Sequence, residues 1–264
     1  VYVAGEGKPL LIIIGIGMAP SFAAYQIEAL AGKRQIIYIC MPGVGLSPMI
    51  EDLSLRGLGS FVLGALDELG VDQFDILGVS WGSLLAVTLA WLQPERVTNL
   101  VLISPNADMG AVDDPGKYVT GIDDAMTRDF SVVEGGDQAR QFYEETECLE
   151  TRPFLRWSKY FGSQTVSRHE TLSILPEVTQ RSLVIVGARD TIIEPREAEV
   201  VALYLRNCTM HVISDASHLP LVTHPELIND LVDRFLDGSE VERTSGPRQS
   251  APTHGTEMRH ANHQ

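Results

Sequence analysis

The chain has 264 residues, of which 44% are hydrophobic and 21% charged, proportions that suit one large domain with its own core. Against 35 acidic residues stand 20 basic ones, and the resulting charge of −15 argues against nucleic-acid or anionic membrane-surface binding. Three scattered cysteines, Cys40, Cys148 and Cys208, form neither a CxxC pair nor a disulfide framework, which argues against a stapled secreted domain and a cysteine zinc site.

The first apolar run, Leu10–Ile14, suits a strand buried on both faces. A helix is expected over Phe22–Ala31 with Gly32 as its C-cap, then a strand over Gln35–Cys40 and a turn at Pro42-Gly43-Val44-Gly45. Leu53–Leu69 reads as a helix ending at Gly70, Phe74–Val79 as a strand, Trp81–Leu92 as a helix and Val97–Ile103 as a strand. Cys40 and Cys208 fall in strands as small apolar core residues. Such alternation means a mostly parallel sheet with helices on both faces.

The pattern breaks between Ser104 and Pro176, a connection too long for a plain loop. A helical insertion is expected there, with pieces at Asp123–Phe130, Asp137–Leu149 and Arg152–Tyr160. The α/β pattern resumes with a strand at Ser182–Val186, a helix at Pro195–Leu205, a strand at Thr209–Ile213 and a helix at Pro225–Leu236. Residues 238–264 lack apolar side chains to offset their ordering entropy and read as a disordered tail. The expected organisation is therefore a core of residues 1–104 and 177–237, a cap of 105–176 and a tail of 238–264. No run has transmembrane length and no basic leader precedes a cleavable segment, so a cytoplasmic protein is expected. The chain opens on Val1 rather than Met, so its natural N-terminus is expected to be missing or processed.

Gly78-Val79-Ser80-Trp81-Gly82 fits G-x-S-x-G, with an apolar strand leading in and an alanine- and leucine-rich helix leading out. That context places Ser80 on a sharp strand-to-helix turn with its hydroxyl outside the core, beside the positive end of a helix dipole. A serine needs a histidine base held by a carboxylate. His211 lies inside a strand and His224 opens a helix, whereas His218 follows the last strand on a loop that can carry an imidazole over the nucleophile. Asp190, at the C-terminal edge of the preceding strand, is the candidate acid; Asp108 is the alternative, and Asp215 braces the histidine loop. The oxyanion hole calls for two backbone N–H groups, one from Trp81 and one from Ile16 in the loop after the first strong strand. His169 and Cys148 have no motif around them.

Together these stretches resemble the α/β-hydrolase superfamily from about Pro9 to Leu236. Leu10–Gly17, Met41–Ser47, Gly78–Gly82 and His211–Leu219 are similar to intracellular medium-chain polyhydroxyalkanoate depolymerases and to related hydroxyacyl-oxyalkanoate synthases. That resemblance implies an α/β-hydrolase fold with an inserted helical cap, and Ser80, Asp190 and His218 as nucleophile, acid and base. It also implies a small-molecule or lipid-like substrate, an ester or thioester of an apolar or 3-hydroxyacyl group. The depolymerase group tends to carry Asn-Gly at the oxyanion loop; here Ile14 precedes Gly15. Cap aromatics between Phe130 and Phe161 are expected to line an apolar acyl pocket, and no cofactor or metal is called for. An acyltransferase or cyclase would share every one of these residues, and a non-catalytic ligand-binding relative would retain them, so both stay open. Oligomeric state is not legible.

Overall fold

The computed structural model describes residues 1–15, 20–43, 47–107 and 168–244. Among these residues seven strands form one sheet: β1 (Tyr2–Ala4), β2 (Lys8–Ile13), β3 (Arg34–Tyr38), β4 (Phe74–Val79), β5 (Val97–Ile103), β6 (Arg181–Gly187) and β7 (Cys208–Ile213). Their order is β1-β3-β2-β4-β5-β6-β7, antiparallel between β1 and β3 and parallel elsewhere. The helices among the described residues are α1 (Ala24–Leu30), α2 (Leu55–Glu68), α3 (Trp81–Leu92), α4 (Arg168–Ile174), α5 (Pro195–Tyr204), α6 (Pro220–Thr223) and α7 (Pro225–Leu236).

Alternate strand residues feed two apolar layers, as the period of two dictates. Leu11, Ile13, Ile76, Leu100, Leu102, Val184 and Val186 pack against α2, α3 and α5. Leu10, Ile12, Leu77, Val101, Ile103, Leu183 and Ile185 pack against α1, α6 and α7. Because both faces are covered, the strands read as unbroken apolar runs rather than as alternating ones. Helix α3 is buried from Trp81 to Ala90, so it is the central helix of its layer.

One acid interrupts that pattern. Asp75 on β4 is fully buried at the N-terminal edge of the sheet, where it accepts from Lys8 Nζ at 2.9 Å, Arg34 Nη1 at 3.3 Å and Asn99 Nδ2 at 2.7 Å. A buried carboxylate is tolerable only with such partners.

Several boundaries differ from expectation. β1 was not legible, being three residues long. Pro20–Ala23 is a 3-10 turn before α1, and Gly32 does not cap that helix in the left-handed region; Ala31 closes it in ordinary helical geometry. Gly70 does stand at φ +68°, with its N–H on Asp67 O and Val71 N–H on Leu66 O, a Schellman end to α2. Cys40 is buried in the core two residues beyond the end of β3 rather than within it. Residues 238–244, expected in a disordered tail, continue the packed chain: Val241 is buried and Thr244 Oγ1 accepts from Val212 N–H on the edge of β7. The three helical pieces expected between 123 and 160 lie outside the described residues. At the far end of the expected insertion, Leu172 and Ile174 of α4 pack on the layer that holds α3.

Candidate active site

The chain runs β2 to β3 on one side, then crosses to β4 on the other, so the strand order reverses between β2 and β4. In an open parallel sheet the crevice at the C-terminal edge of such a switch point is where ligands bind. Ser80 stands there, immediately after β4.

Ser80 has φ +51° and ψ −123°, in the region that only glycine enters without strain. Its own N–H donates to Ile103 O at 2.8 Å, which anchors the turn to β5. Two glycines allow the turn to be so tight. A Cβ on Gly78 would lie 2.8 Å from Gly82 O, and one on Gly82 would lie 2.2 Å from Ile13 O at the end of β2. Trp81 is the first residue of α3, so its backbone N–H belongs to the positive end of that helix.

Asp190 follows β6 and His218 follows β7, and the fold brings both to Ser80. Asp190 Oδ1 accepts from the N–H groups of Ile192 at 2.9 Å and Ile193 at 2.8 Å, which locks the carboxylate into its own turn. That leaves Oδ2 to accept from His218 Nδ1 at 2.8 Å. An ionised carboxylate can only accept, so the ring proton sits on Nδ1 and Nε2 is left to accept from Ser80 Oγ–H at 3.1 Å. The His218 side chain is 2% exposed and that of Asp190 0%, while Ser80 is half-buried and faces the crevice end of the array.

The other candidates fall elsewhere. His211 stays on β7, its Nδ1 3.2 Å from Glu242 O. His224 stands at the N-cap position of α7 and pairs with Asp215 Oδ1 at 3.5 Å, so Asp215 braces the segment around the histidine loop and stands apart from the Ser80–His218–Asp190 array. Ile16, Asp108 and Cys148 lie outside the described residues, as does the side chain of His169. Ile14 is buried in the layer facing α1 and α7, so the segment that leads into the expected oxyanion loop is anchored by burial where a polar residue would use a hydrogen bond. Burial pushes the Cys208 thiol up to about 12, the opposite of an activated nucleophile. Among the described residues no group of His, Cys, Asp and Glu is placed to hold a metal ion.

Ser104 donates its hydroxyl to His218 O at 2.8 Å, and nothing in the sequence but a Ser-Pro step at a strand end marks it. The Asx turn at Asp190 is equally silent in the run Asp190-Thr191-Ile192-Ile193.

A mostly parallel sheet of this order, with a strained serine after a central strand, hydrogen-bonded to a histidine that is held by an aspartate, defines the class of α/β hydrolases. The chain belongs to the alpha/beta hydrolase family, which it matches over residues 15–231. It is 29% identical over 262 residues to a poly(3-hydroxyalkanoate) depolymerase of Ectopseudomonas oleovorans, covering 92% of this chain and 89% of that one. It is 25% identical to a pimeloyl-(acyl-carrier protein) methyl ester esterase of Aeromonas hydrophila subsp. hydrophila, covering 88% and 96%. An alpha/beta hydrolase enzyme from a Medee basin deep-sea metagenome library has the same fold, with a TM-score of 0.76 at 19% identity over 91% of this chain and 94% of that one. The chain is accordingly a hydrolase of this family. No helix among the described residues is long and apolar enough to cross a membrane.

Proposed function

We propose that Ser80, His218 and Asp190 are the catalytic triad of a serine hydrolase that cleaves carboxylic ester or thioester bonds of an apolar acyl or hydroxyacyl substrate. The observation that carries this reading is the unbroken hydrogen-bond relay from Ser80 Oγ through His218 to Asp190 Oδ2, at 3.1 and 2.8 Å. His218 Nε2 takes the hydroxyl proton as Ser80 Oγ bonds to the acyl carbon, and Asp190 stabilises the imidazolium that forms. The N–H groups of Trp81 and Ile16 hold the developing oxyanion. His218 then returns the proton to the departing alcohol or thiol, leaving an acyl-enzyme. Water, deprotonated by the same nitrogen, attacks that ester and frees the acid.

Residues 105–176 form the cap over this crevice in our reading, and residues 1–104 and 177–237 the catalytic body. The cap's aromatic side chains, between Phe130 and Phe161, supply an apolar acyl pocket. The depolymerase and methyl ester esterase relatives favour a substrate with an ester at the end of a longer acyl chain. The three cysteines are scattered, with no CxxC pair or disulfide framework, which suits a cytoplasmic location, and the charge of −15 suits a neutral or lipid-like substrate better than a polyanion. The test is a p-nitrophenyl ester series. We expect kcat/KM to rise from acetate to hexanoate or octanoate; acetate far exceeding the longer chains means a small pocket and a different substrate class.

A further inference from the structure

His218 leaves the sheet at β7, whereas Ser80 stands at the end of β4, three strands away. At ordinary strand spacing that is about 14 Å, so the histidine loop must fold back across the ends of β6 and β5 to reach its partner. Something must hold it low and in register over that distance.

On β6 the crossing point is Gly187. A Cβ there would lie 2.3 Å from both Ala216 O and Ser217 O, so the loop passes directly over the glycine backbone. Arg189 N–H donates to Ala216 O at 2.9 Å and Ala188 N–H to Ile213 O at 2.8 Å, stitching the loop to the turn that carries Asp190. On β5 the crossing point is Ser104, fully buried, with its N–H on Ile185 O and its hydroxyl on His218 O, both at 2.8 Å.

Ser104 has φ +47°. Among the described residues, Ser80 and Ser104 are the two non-glycine positions with positive φ, and they end adjacent parallel strands. Ser80 N–H is held by Ile103 O, the residue directly before Ser104. The end of β5 thus grips the nucleophile with one carbonyl and the base with one hydroxyl. Backbone strain of this kind persists only where the surroundings over-determine it.

We propose that Ser104 is a positioning residue for the base: its hydroxyl fixes the His218 backbone so that Nε2 meets Ser80 Oγ, with Gly187 clearing the path. This rests on the triad reading above. Loss of the hydroxyl frees the loop to ride up, and a displacement of about 1 Å at a reacting group can cost on the order of 10²-fold.

The deciding variant is Ser104→Gly, because glycine accepts the positive φ without strain and so keeps the fold. Ser104→Ala, which retains the strained backbone, and Ser80→Ala are measured beside it. On a p-nitrophenyl ester, Ser104→Gly should lose about 10-fold or more in kcat with KM within about twofold, and Ser104→Ala should lose at least as much. Labelling of Ser80 by a fluorophosphonate should slow in parallel. A Ser104→Gly enzyme with unchanged kcat overturns the proposal, whether or not the alanine variant folds or is active. A loss confined to KM overturns it too. If Ser80→Ala keeps full activity, the triad reading itself fails; if it is inactive while Ser104→Gly matches the parent, only the positioning role fails.

Discussion

Asp190→Asn separates the tautomer-setting role proposed for this carboxylate from its role in the fold. The turn around Asp190 uses Oδ1 to accept two backbone N–H groups, from Ile192 and Ile193, at 2.9 and 2.8 Å. An asparagine keeps both bonds by placing its carbonyl oxygen there, which turns its NH₂ toward His218 Nδ1. That nitrogen must then accept, the ring proton moves to Nε2, and the imidazole can no longer take the Ser80 proton. The opposite amide orientation preserves the working tautomer but breaks both backbone bonds and sets donor against donor. At about 1–2 kcal/mol per bond, that orientation is disfavoured by about 2–4 kcal/mol, or about 30- to 1,000-fold. Loss of the charge that stabilises the imidazolium adds to this; in serine proteases the same exchange lowers kcat about 10⁴-fold. We expect a fall in kcat of at least about 10²-fold on any p-nitrophenyl ester, with the melting temperature nearly unchanged because the turn survives. Asp108→Asn serves as the comparison and should cost far less. An Asp190→Asn enzyme within threefold of the parent, or an Asp108→Asn enzyme that is the crippled one, refutes the assignment.

Asp75→Ala leaves Arg34, whose side chain is 4% exposed, paired with Asp237 at 2.6 Å and strands Lys8 at the sheet edge. Breaking a buried pair on one side costs about 3–5 kcal/mol, so calorimetry should show a clear drop in melting temperature, and a shift under about 2 °C would contradict the reading. Burial pushes the Cys208 thiol from 9.0 to about 12, so at pH 8 its thiolate fraction is about 10³-fold below that of the unfolded chain. Iodoacetamide followed by peptide mass spectrometry should therefore find Cys208 protected until denaturant is added; rapid alkylation in the native protein would contradict this.

Much of the body was legible because the parallel strands are covered on both faces and so appear as short apolar runs between helices. β4, α3 and β5 came out at their observed bounds for that reason. Ser80 was legible because the strand–Gly-x-Ser-x-Gly–helix context is local, and His218 and Asp190 because loop position after successive strands can be counted along the chain. What failed was set by tertiary contact. β1 exists only by pairing with β3 at the sheet edge, with Tyr2 opposite Tyr38. Residues 238–244 carry one buried apolar side chain, Val241, too little to announce order without the edge of β7 to lie against. Gly32 looked like a cap, but α1 closes at Ala31 without a left-handed residue. Ser104 and Gly187 act where the histidine loop crosses two neighbouring strands, a juxtaposition that no local pattern encodes.

The most direct test of the triad is reaction with a fluorophosphonate, followed by digestion and mass spectrometry of the labelled peptide. A working relay makes Ser80 the labelled residue, abolishes the adduct in Ser80→Ala and slows it by at least about 10²-fold in His218→Gln, all with the folded state intact. An adduct elsewhere, or undiminished labelling of the Ser80→Ala protein, would show that the hydroxyl facing His218 is not the nucleophile.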